Sequence, residues 1–256
     1  MVPSATEHWT SHAIRPVNGV NVLRATPLLF GMLAACAQEA PQTACPISSA
    51  DCSARVDSLI QVASSWYTGT AGTVDDVRAR ELLEEAVATG SPMATMWMAR
   101  VYSRGRMGYD HDSERALALA ASVIADVRAA AESGWTEATF LMGTAYDEGL
   151  GVAEDPAAAI SWFRQAADKG HVLAAHNLGN AYAEGRGVPK DEGMAMKWWL
   201  EAAEAGDAIP QLRLGQAYER GGSADPDIEA ARHWYSRAAA RGNAAAAQAL
   251  AQLPEG

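Results

Sequence analysis

Three cysteines carry the most reactive side chains of this chain, and their positions decide which thiol chemistry is available. Cys36, Cys45 and Cys52 all lie near the start of the 256 residues. A thiolate can act as a nucleophile, bind a metal, form a disulfide or carry a covalent modification. Cys36 follows an apolar stretch, Ala25–Ala35, which is preceded by Arg24 and has the length of a secretory signal core. This pattern predicts a signal peptide over residues 1–35.

The end of that stretch, Leu33-Ala34-Ala35-Cys36, resembles the lipobox of bacterial lipoproteins. The resemblance implies cleavage before Cys36 and a lipid (palmitate) on this residue. With Ala37 next, it also implies an outer-membrane lipoprotein that faces the periplasm and contacts the membrane through its acyl chains only. The alternative is an amphipathic helix that ends in a cysteine, in a cytoplasmic protein. An alternative start site would leave residues 1–21 untranslated and give a signal of ordinary length.

Cys45 and Cys52 remain as a pair once Cys36 is lipidated, within a polar tether over residues 36–53. An oxidising compartment favours a disulfide between them, and the intervening segment PISSAD can loop back. Free thiols are the alternative. A tether is a poor place for a preorganised nucleophile, so the pair does not predict catalysis.

The other reactive side chains lack the spacings that catalysis or metal binding requires. Among the four histidines beyond the predicted signal peptide, no two stand four apart on a helix, as zinc ligands often do; His171 and His176 are five apart. The segments GLG and GRG follow helices rather than strands, with no Lys-Ser/Thr behind them, so they predict helix ends rather than a phosphate loop. The sequence therefore predicts no enzyme, no metal site and no cofactor.

Composition narrows the class of partner and of fold. With 20 basic and 31 acidic residues the net charge is −11, which argues against nucleic acid and against electrostatic attraction to anionic lipid. Hydrophobic residues make up 49% and aromatic residues 7%, and alanine dominates, which favours close-packed helices over strands.

The second half of the chain is a tandem repeat. Three segments of 36 residues align without gaps: Trp135–Gly170, His171–Gly206 and Asp207–Gly242. Counted from 1 in each segment, position 9 is always Gly, 12 Tyr, 15 Gly, 21 Asp and 28 Trp, and position 29 is aromatic. Such a period predicts a solenoid of supersecondary units.

One unit has the pattern of two helices joined by a turn. Ala138, Met142 and Ala145 share one face of the first helix. A glycine within a helix costs about 1 kcal/mol, so its recurrence at position 9 predicts a close approach of a neighbour. Asp155 and Asp191 are predicted to cap the second helix, whose buried stripe combines large aromatic residues with paired alanines.

The blocks AYDEGLGV with WFRQAADKG, and AYAEGRGV with WWLEAAEAG, resemble the Sel1-like repeat, a relative of the tetratricopeptide repeat. The last unit departs from the pattern, because its turn GGSADPD lacks the second glycine and the valine. The resemblance implies an all-α fold, a right-handed α-solenoid of helix–turn–helix repeats. It also implies a scaffold or adaptor role.

The pattern continues on both sides of these units. Ser91–Gly134 forms a longer unit whose second helix is extended without a breaker over 113–133, and Ser53–Thr89 forms a degenerate first unit. Residues 243–253 predict a terminal capping helix. We therefore expect one repeat domain over residues 54–256, with about five units.

The first helices of a solenoid line its concave face, where partners usually bind. Position 10 there gives a polar row suited to hydrogen-bonding an extended chain, and position 6 gives a more apolar row. The polar row is Arg100, Thr144, Asn180 and Gln216, and the apolar row is Met96, Phe140, His176 and Leu212. Position 10 predicts partner binding, whereas burial between adjacent first helices is the favoured alternative for position 6.

The leading hypothesis is a non-enzymatic, lipid-anchored adaptor for an unidentified protein or peptide. A second hypothesis is a cell-envelope enzyme, because a cysteine-rich branch of the Sel1-like family is associated with β-lactam binding or hydrolysis. That branch has cysteine pairs within its repeats, and this chain has none there. The third is self-association through the alanine-rich helix over 113–133.

Overall fold

The computed structural model describes residues 50–221 and 225–254, with side chains from residue 55 onward. The predicted signal peptide, Cys36 and Cys45 lie outside these residues, as does the side chain of Cys52. Over the described ranges the chain forms eleven α-helices and no strand. The helices are α1 (Ala50–Thr68), α2 (Asp76–Ala88), α3 (Pro92–Arg104), α4 (Ser113–Glu132), α5 (Thr136–Glu148), α6 (Pro156–Ala167), α7 (Val172–Glu184), α8 (Glu192–Glu204), α9 (Ala208–Arg220), α10 (Ile228–Ala240) and α11 (Ala244–Gln252).

The helices pair in chain order, α1 with α2 through α9 with α10, and α11 packs on the last pair. This confirms the prediction of an all-α repeat solenoid with five units and a capping helix. The first unit begins earlier than expected. Because α1 starts at Ala50 rather than Ser53, the backbone of Cys52 lies in its first turn and not in the predicted tether.

Capping residues set the bounds of the helices. An aspartate precedes each second helix and accepts a hydrogen bond, at 2.9–3.0 Å, from the main-chain N–H three residues later. These residues are Asp75, Asp112, Asp155, Asp191 and Asp227. The helices α3, α5, α7 and α9 each end at a glycine with φ between 60° and 78°. The predicted caps at Asp155 and Asp191 are confirmed.

The glycine at position 9 lies against the aromatic ring at position 29 of the same unit. A Cβ on Gly143, Gly179 or Gly215 would come within 2.5, 2.2 or 2.4 Å of Phe163, Trp199 or Tyr235, respectively. The predicted close approach is therefore confirmed. The first two units carry the reciprocal pair at these positions, Ala63 with Leu83 and Ala99 with Leu119. In these two units position 9 is therefore larger (Ala instead of Gly), and position 29 is smaller (Leu instead of an aromatic residue).

The turns between α5 and α6 and between α7 and α8 each pack on the second helix of the unit before. A Cβ on Gly187, in the turn between α7 and α8, would lie 2.4 Å from the carbonyl oxygen of Pro156. In the second unit Met107 occupies the equivalent position with φ 54° and is buried. At these turns, main-chain contact adds to the side-chain packing between neighbouring units.

The helix α4 has 20 residues, whereas the other second helices have 12 or 13. This confirms the predicted extension. Its middle supports the next unit, because a Cβ on Gly151 would lie 3.0 Å from the Cβ of Ile124.

The last unit also contacts the first. The N–H of Val74 donates to the carbonyl of Arg241 at 2.9 Å, and the guanidinium of Arg241 donates to the carbonyl of Gly69 at 2.5 Å. These residues are 172 positions apart in the chain. The turn after α1 is therefore held by the end of α10.

Among the described residues, no helix combines the length and the apolar character that a membrane span requires.

Candidate functional site

The predicted polar row divides into a buried half and an accessible half. Arg100 and Thr144 are 4% and 1% exposed, whereas Asn180 and Gln216 are half-buried and line an open cleft of about 190 Å³. We call this the Asn180 cleft. It lies between α7, α8 and α9, and its lining is Asn180, Ala183, Glu184, Lys190, Glu192, Trp199, Arg213, Gln216 and Arg220.

The apolar row at position 6 mostly packs between neighbouring first helices. Met96, Phe140 and Leu212 are buried, and the Phe140 ring lies 5.7 Å from Trp97. His176 is half-buried and hydrogen-bonds Asp207 at 2.8 Å. These contacts account for the apolar character of the row.

Inside the Asn180 cleft, one side chain is held in a fixed orientation. The indole N–H of Trp199 donates to Oδ1 of Asn180 at 3.0 Å. The amide NH2 of Asn180 remains as a donor to a ligand, because Oδ1 is the atom that Trp199 fixes. Gln216 lies one turn along α9 from Arg213, and its Oε1 accepts from that guanidinium at 3.4 Å. The cleft therefore exposes the amides of Asn180 and Gln216, and Trp199 fixes the first of them.

A larger cleft, of about 520 Å³, lies between α1 and the starts of α5 and α7. We call it the Asp57 cleft. Its side chains come from three different units, which no single repeat pattern brings together. Its lining is Asp57, Gln61, Ser64, Ser65, Thr68, Thr70, Trp135, Thr136, Glu137, Lys169, Gly170, His171, Val172 and Leu173.

One wall of the Asp57 cleft is a hydrogen-bonded array. Glu137 accepts from the indole N–H of Trp97 at 2.5 Å and contacts Nε2 of His171 at 3.2 Å. The imidazole stacks on Phe140 with ring centroids 4.4 Å apart. Burial by itself would raise the pKa of Glu137, but His171 and Trp97 lower it below its usual range. Glu137 is therefore an ionised carboxylate with its charge directed at fixed donors.

His171 is the N-cap of α7, and this role uses its second nitrogen. Nδ1 accepts from the N–H of Ala174 at 3.3 Å, so the proton lies on Nε2 and faces Glu137. Both nitrogens are occupied, which leaves no free lone pair for a general base or a metal. Within the described ranges no group of three or more His, Cys, Asp or Glu residues is placed to hold a metal ion.

Asp57 is the carboxylate that lacks such partners. Its Oδ1 is buried and has no hydrogen-bond partner among the described residues. Burial raises the pKa of Asp57 to about 6, and the negative charge of Glu137 adds to the effect. Asp57 lines the cleft, and its Oδ1 lacks a hydrogen-bond donor.

Arg100 is a buried cation among aromatic rings rather than a surface contact. Its guanidinium carbon lies 4.7 Å from the ring centroid of Trp97, 5.5 Å from Phe140 and 5.8 Å from Tyr67. Burial lowers its pKa to about 10, with a contribution from Arg106. It stays charged at neutral pH, and the faces of the rings stabilise that charge. Removal of this side chain would therefore disturb the packing of the surrounding aromatic rings.

The match to known families agrees with this architecture. The Sel1 repeat model matches five segments that together cover more than half of the chain: residues 56–91, 92–122, 136–171, 172–207 and 211–243. The chain belongs to the Sel1 repeat family. The first and second matches include the units whose sequence pattern was weakest, and their Ala–Leu pairs replace the Gly–aromatic pairs.

Solved structures with similar folds include other proteins with this repeat. A Sel1 repeat protein from Oxalobacter formigenes is 38% identical, over 70% of this chain and 50% of that chain, with a TM-score of 0.48. A protective antigen of uropathogenic Escherichia coli with an SLR fold is 26% identical over 77% of this chain and 41% of its own, with a TM-score of 0.49. An immunity protein of Pseudomonas aeruginosa is 21% identical over 75% and 68%, with a TM-score of 0.43. The chain thus spans half or less of the first two. No curated protein matches it.

Sequence reasoning did not find the Asp57 cleft. Asp57 lies in the degenerate first unit, and the sequence pattern assigns no binding role to Glu137 or His171. One signal was available, since position 3 is apolar in three units but is Asp57 in the first and Glu137 in the third. Two carboxylates at a position that is otherwise apolar indicate a departure from pure packing.

Proposed function

We propose that this Sel1 repeat chain is a non-enzymatic interaction scaffold that holds an extended segment of a partner protein in the Asn180 cleft. Sel1 repeat proteins generally mediate protein–protein interactions, and their helical scaffold is typically non-catalytic. The observation that carries the proposal is the amide of Asn180, whose oxygen is fixed by Trp199 and whose NH2 is left for a ligand. Main-chain carbonyls of an extended peptide accept such donors.

The test uses photo-crosslinking from defined positions, followed by affinity measurements. A crosslinking amino acid at position 216, inside the cleft, should capture a partner in the expressing cell. The same residue at position 165, an exposed glutamine on α6, is the control. Efficient capture from position 165 by the same partner would show that another face binds it.

The captured partner is then purified and titrated against Asn180→Asp. This change keeps the acceptor that Trp199 needs but removes the NH2 donors, so the fold should persist. We expect affinity to fall about tenfold, the effect of losing one or two hydrogen bonds, with an unchanged Tm. Gln165→Ala, the control, should bind like the parent chain. An unchanged affinity for Asn180→Asp would refute the site.

The proposal includes a cellular location for the scaffold. A lipid on Cys36 would hold it at the outer membrane, facing the periplasm, with a disulfide between Cys45 and Cys52; a cytoplasmic adaptor with free thiols is the alternative. Intact mass and membrane fractionation, with and without Cys36→Ser, separate the two. An unprocessed, soluble parent chain would refute the outer-membrane location, and with it the argument for the disulfide.

Self-association through residues 113–133 is a further proposal of the sequence analysis. One face of α4 is solvent-exposed, with Leu117 49% exposed beside alanines. Light scattering of the purified chain and of Leu117→Glu tests it. A strictly monomeric parent chain would eliminate this function.

A further inference from the structure

The Asp57 cleft combines a large volume with a lining that carries two carboxylates, those of Asp57 and Glu137, beside a row of hydroxyl groups on α1. It is about 520 Å³ in volume, which is enough for a long side chain together with its flanking main chain. It is separate from the Asn180 cleft, since the two have no lining residue in common.

The hydroxyl groups along α1 have already used their protons. Ser64 donates to the carbonyl of Gln61 at 2.9 Å, Ser65 to that of Val62 at 2.8 Å, and Thr68 to that of Ser64 at 2.9 Å. A hydroxyl that donates to its own helix retains its lone pairs. Along α1, therefore, the cleft presents acceptors.

The carboxylates add negative charge to this wall. Oδ1 of Asp57 is buried without a hydrogen-bond partner among the described residues, and Glu137 is close enough to raise the pKa of Asp57. A buried, unpartnered carboxylate oxygen costs free energy until a donor, best a cationic one, reaches it.

The opposite wall carries the ammonium group of Lys169, an exposed side chain. Nζ of Lys169 donates to the carbonyl of Gly134 at 2.9 Å, on the rim. The uncapped start of α5 brings main-chain N–H groups to the same wall, but Glu137 lies in that first turn and offsets their positive end. These N–H groups can serve the carbonyls of a bound peptide, whereas an added anion would face two carboxylates.

We propose that the Asp57 cleft binds a basic side chain of a partner polypeptide, with Asp57 as the direct counter-charge. A guanidinium or an ammonium is a donor without acceptors, and it matches a lining of carboxylates and hydroxyl lone pairs. The site is additional to the Asn180 cleft and does not depend on it.

The binding test uses the full chain and three matched peptides, Ac-Ala-Arg-Ala-NH2 and its citrulline and glutamate counterparts, titrated by calorimetry at pH 7.5 and low salt. Citrulline keeps the shape of arginine without its charge. We expect the arginine peptide to bind at least tenfold more tightly than citrulline, with no measurable binding of the glutamate peptide. Equal affinities for arginine and citrulline, or preference for glutamate, would overturn the proposal.

Single substitutions test whether Asp57 is the residue that binds the arginine side chain. Asp57→Asn should reduce the affinity for the arginine peptide to the citrulline level without lowering the Tm. Asp126→Asn, the same change at an exposed position of α4, should leave it unchanged. Retention of full affinity in Asp57→Asn would refute the counter-charge. Methylguanidinium distinguishes the source of the cation, because binding as tight as that of the peptide would indicate a small-molecule site instead of a polypeptide site.

Protonation gives a second readout on the same complex. The titratable and charged groups facing Asp57 in the cleft are Glu137 of α5, His171 of α7 and Lys169 of the preceding turn. Of the two carboxylates, the pKa of Asp57 is raised and that of Glu137 is lowered. Affinity for the arginine peptide should therefore fall about tenfold between pH 7.5 and pH 5, and Asp57→Asn should remove this dependence. The same dependence in Asp57→Asn would assign the titration to another group and contradict the proposal.

Discussion

Replacement of Gly179 by alanine should destabilise the chain, although alanine is the better helix former. In the structure a Cβ on Gly179 would lie 2.2 Å from Cδ1 of Trp199, whereas carbon atoms in contact prefer about 3.5–4.0 Å. The indole must retreat by more than 1 Å, and this would break its 3.0 Å hydrogen bond to Asn180.

The magnitude follows from three opposing contributions. Alanine gains about 1 kcal/mol of helix propensity, overpacking costs about 1–3 kcal/mol, and the broken hydrogen bond costs about 1 kcal/mol. We expect a net loss of about 1–3 kcal/mol in the free energy of unfolding. For a domain of this size, that lowers the Tm by roughly 3–10 °C.

Urea unfolding followed by far-ultraviolet circular dichroism measures the effect. Gly193→Ala is the matched control, since this exposed glycine of α8 has room for a Cβ and should be neutral or stabilised. In a double-mutant cycle, Trp199→Leu should make Gly179→Ala milder by at least about 1 kcal/mol, because Ala with Leu is the pair found in the first two units. Additive effects, or a Gly179→Ala variant more stable than the parent, would refute the complementarity.

Three further predictions concern single positions. Asp57→Asn should stabilise the fold at pH 7.5 by up to about 1 kcal/mol, a value reduced for solvent screening. The raised pKa of about 6 means that stability present in acid is lost as pH rises toward and past 6, so urea midpoints at pH 5 and 7.5 should converge in the variant. Arg241→Ala removes the hydrogen bond to Gly69 and should lower the free energy of unfolding by about 1 kcal/mol. It should also speed hydrogen exchange at the N–H of Val74, which donates to the carbonyl of Arg241. Unchanged exchange would contradict a link between the first and last units. Asp155→Ala should cost about 1 kcal/mol through loss of the α6 cap, and Asp155→Asn much less; equal losses by Tm would exclude capping as the cause.

Most of the fold could be predicted because the information in a repeat is local. The aspartate caps, the glycine ends and the glycine at position 9 each act within one unit, and their recurrence set the period. The extension of α4 was equally visible, as a stretch without a breaker. The first unit was harder, because Ala63 and Leu83 satisfy the same packing with different residues.

The candidate sites could be predicted only in part. Position 10 was predicted to form one accessible row, but its burial varies along the chain. Arg100 is enclosed because Tyr67 of the first unit and Phe140 of the third reach it, whereas Asn180 borders an open cleft. Identical repeat positions acquire different environments because the neighbouring units differ.

The sequence by itself determined the unit, its helix ends and the order in which the units stack, since each depends on residues close in the chain. Tertiary structure alone decided which residues meet across units. Asp57, Glu137 and His171 share one cleft, and Arg241 reaches Gly69, because small rotations between successive units accumulate along the solenoid. That accumulated rotation depends on every interface in between, and no single repeat pattern encodes it.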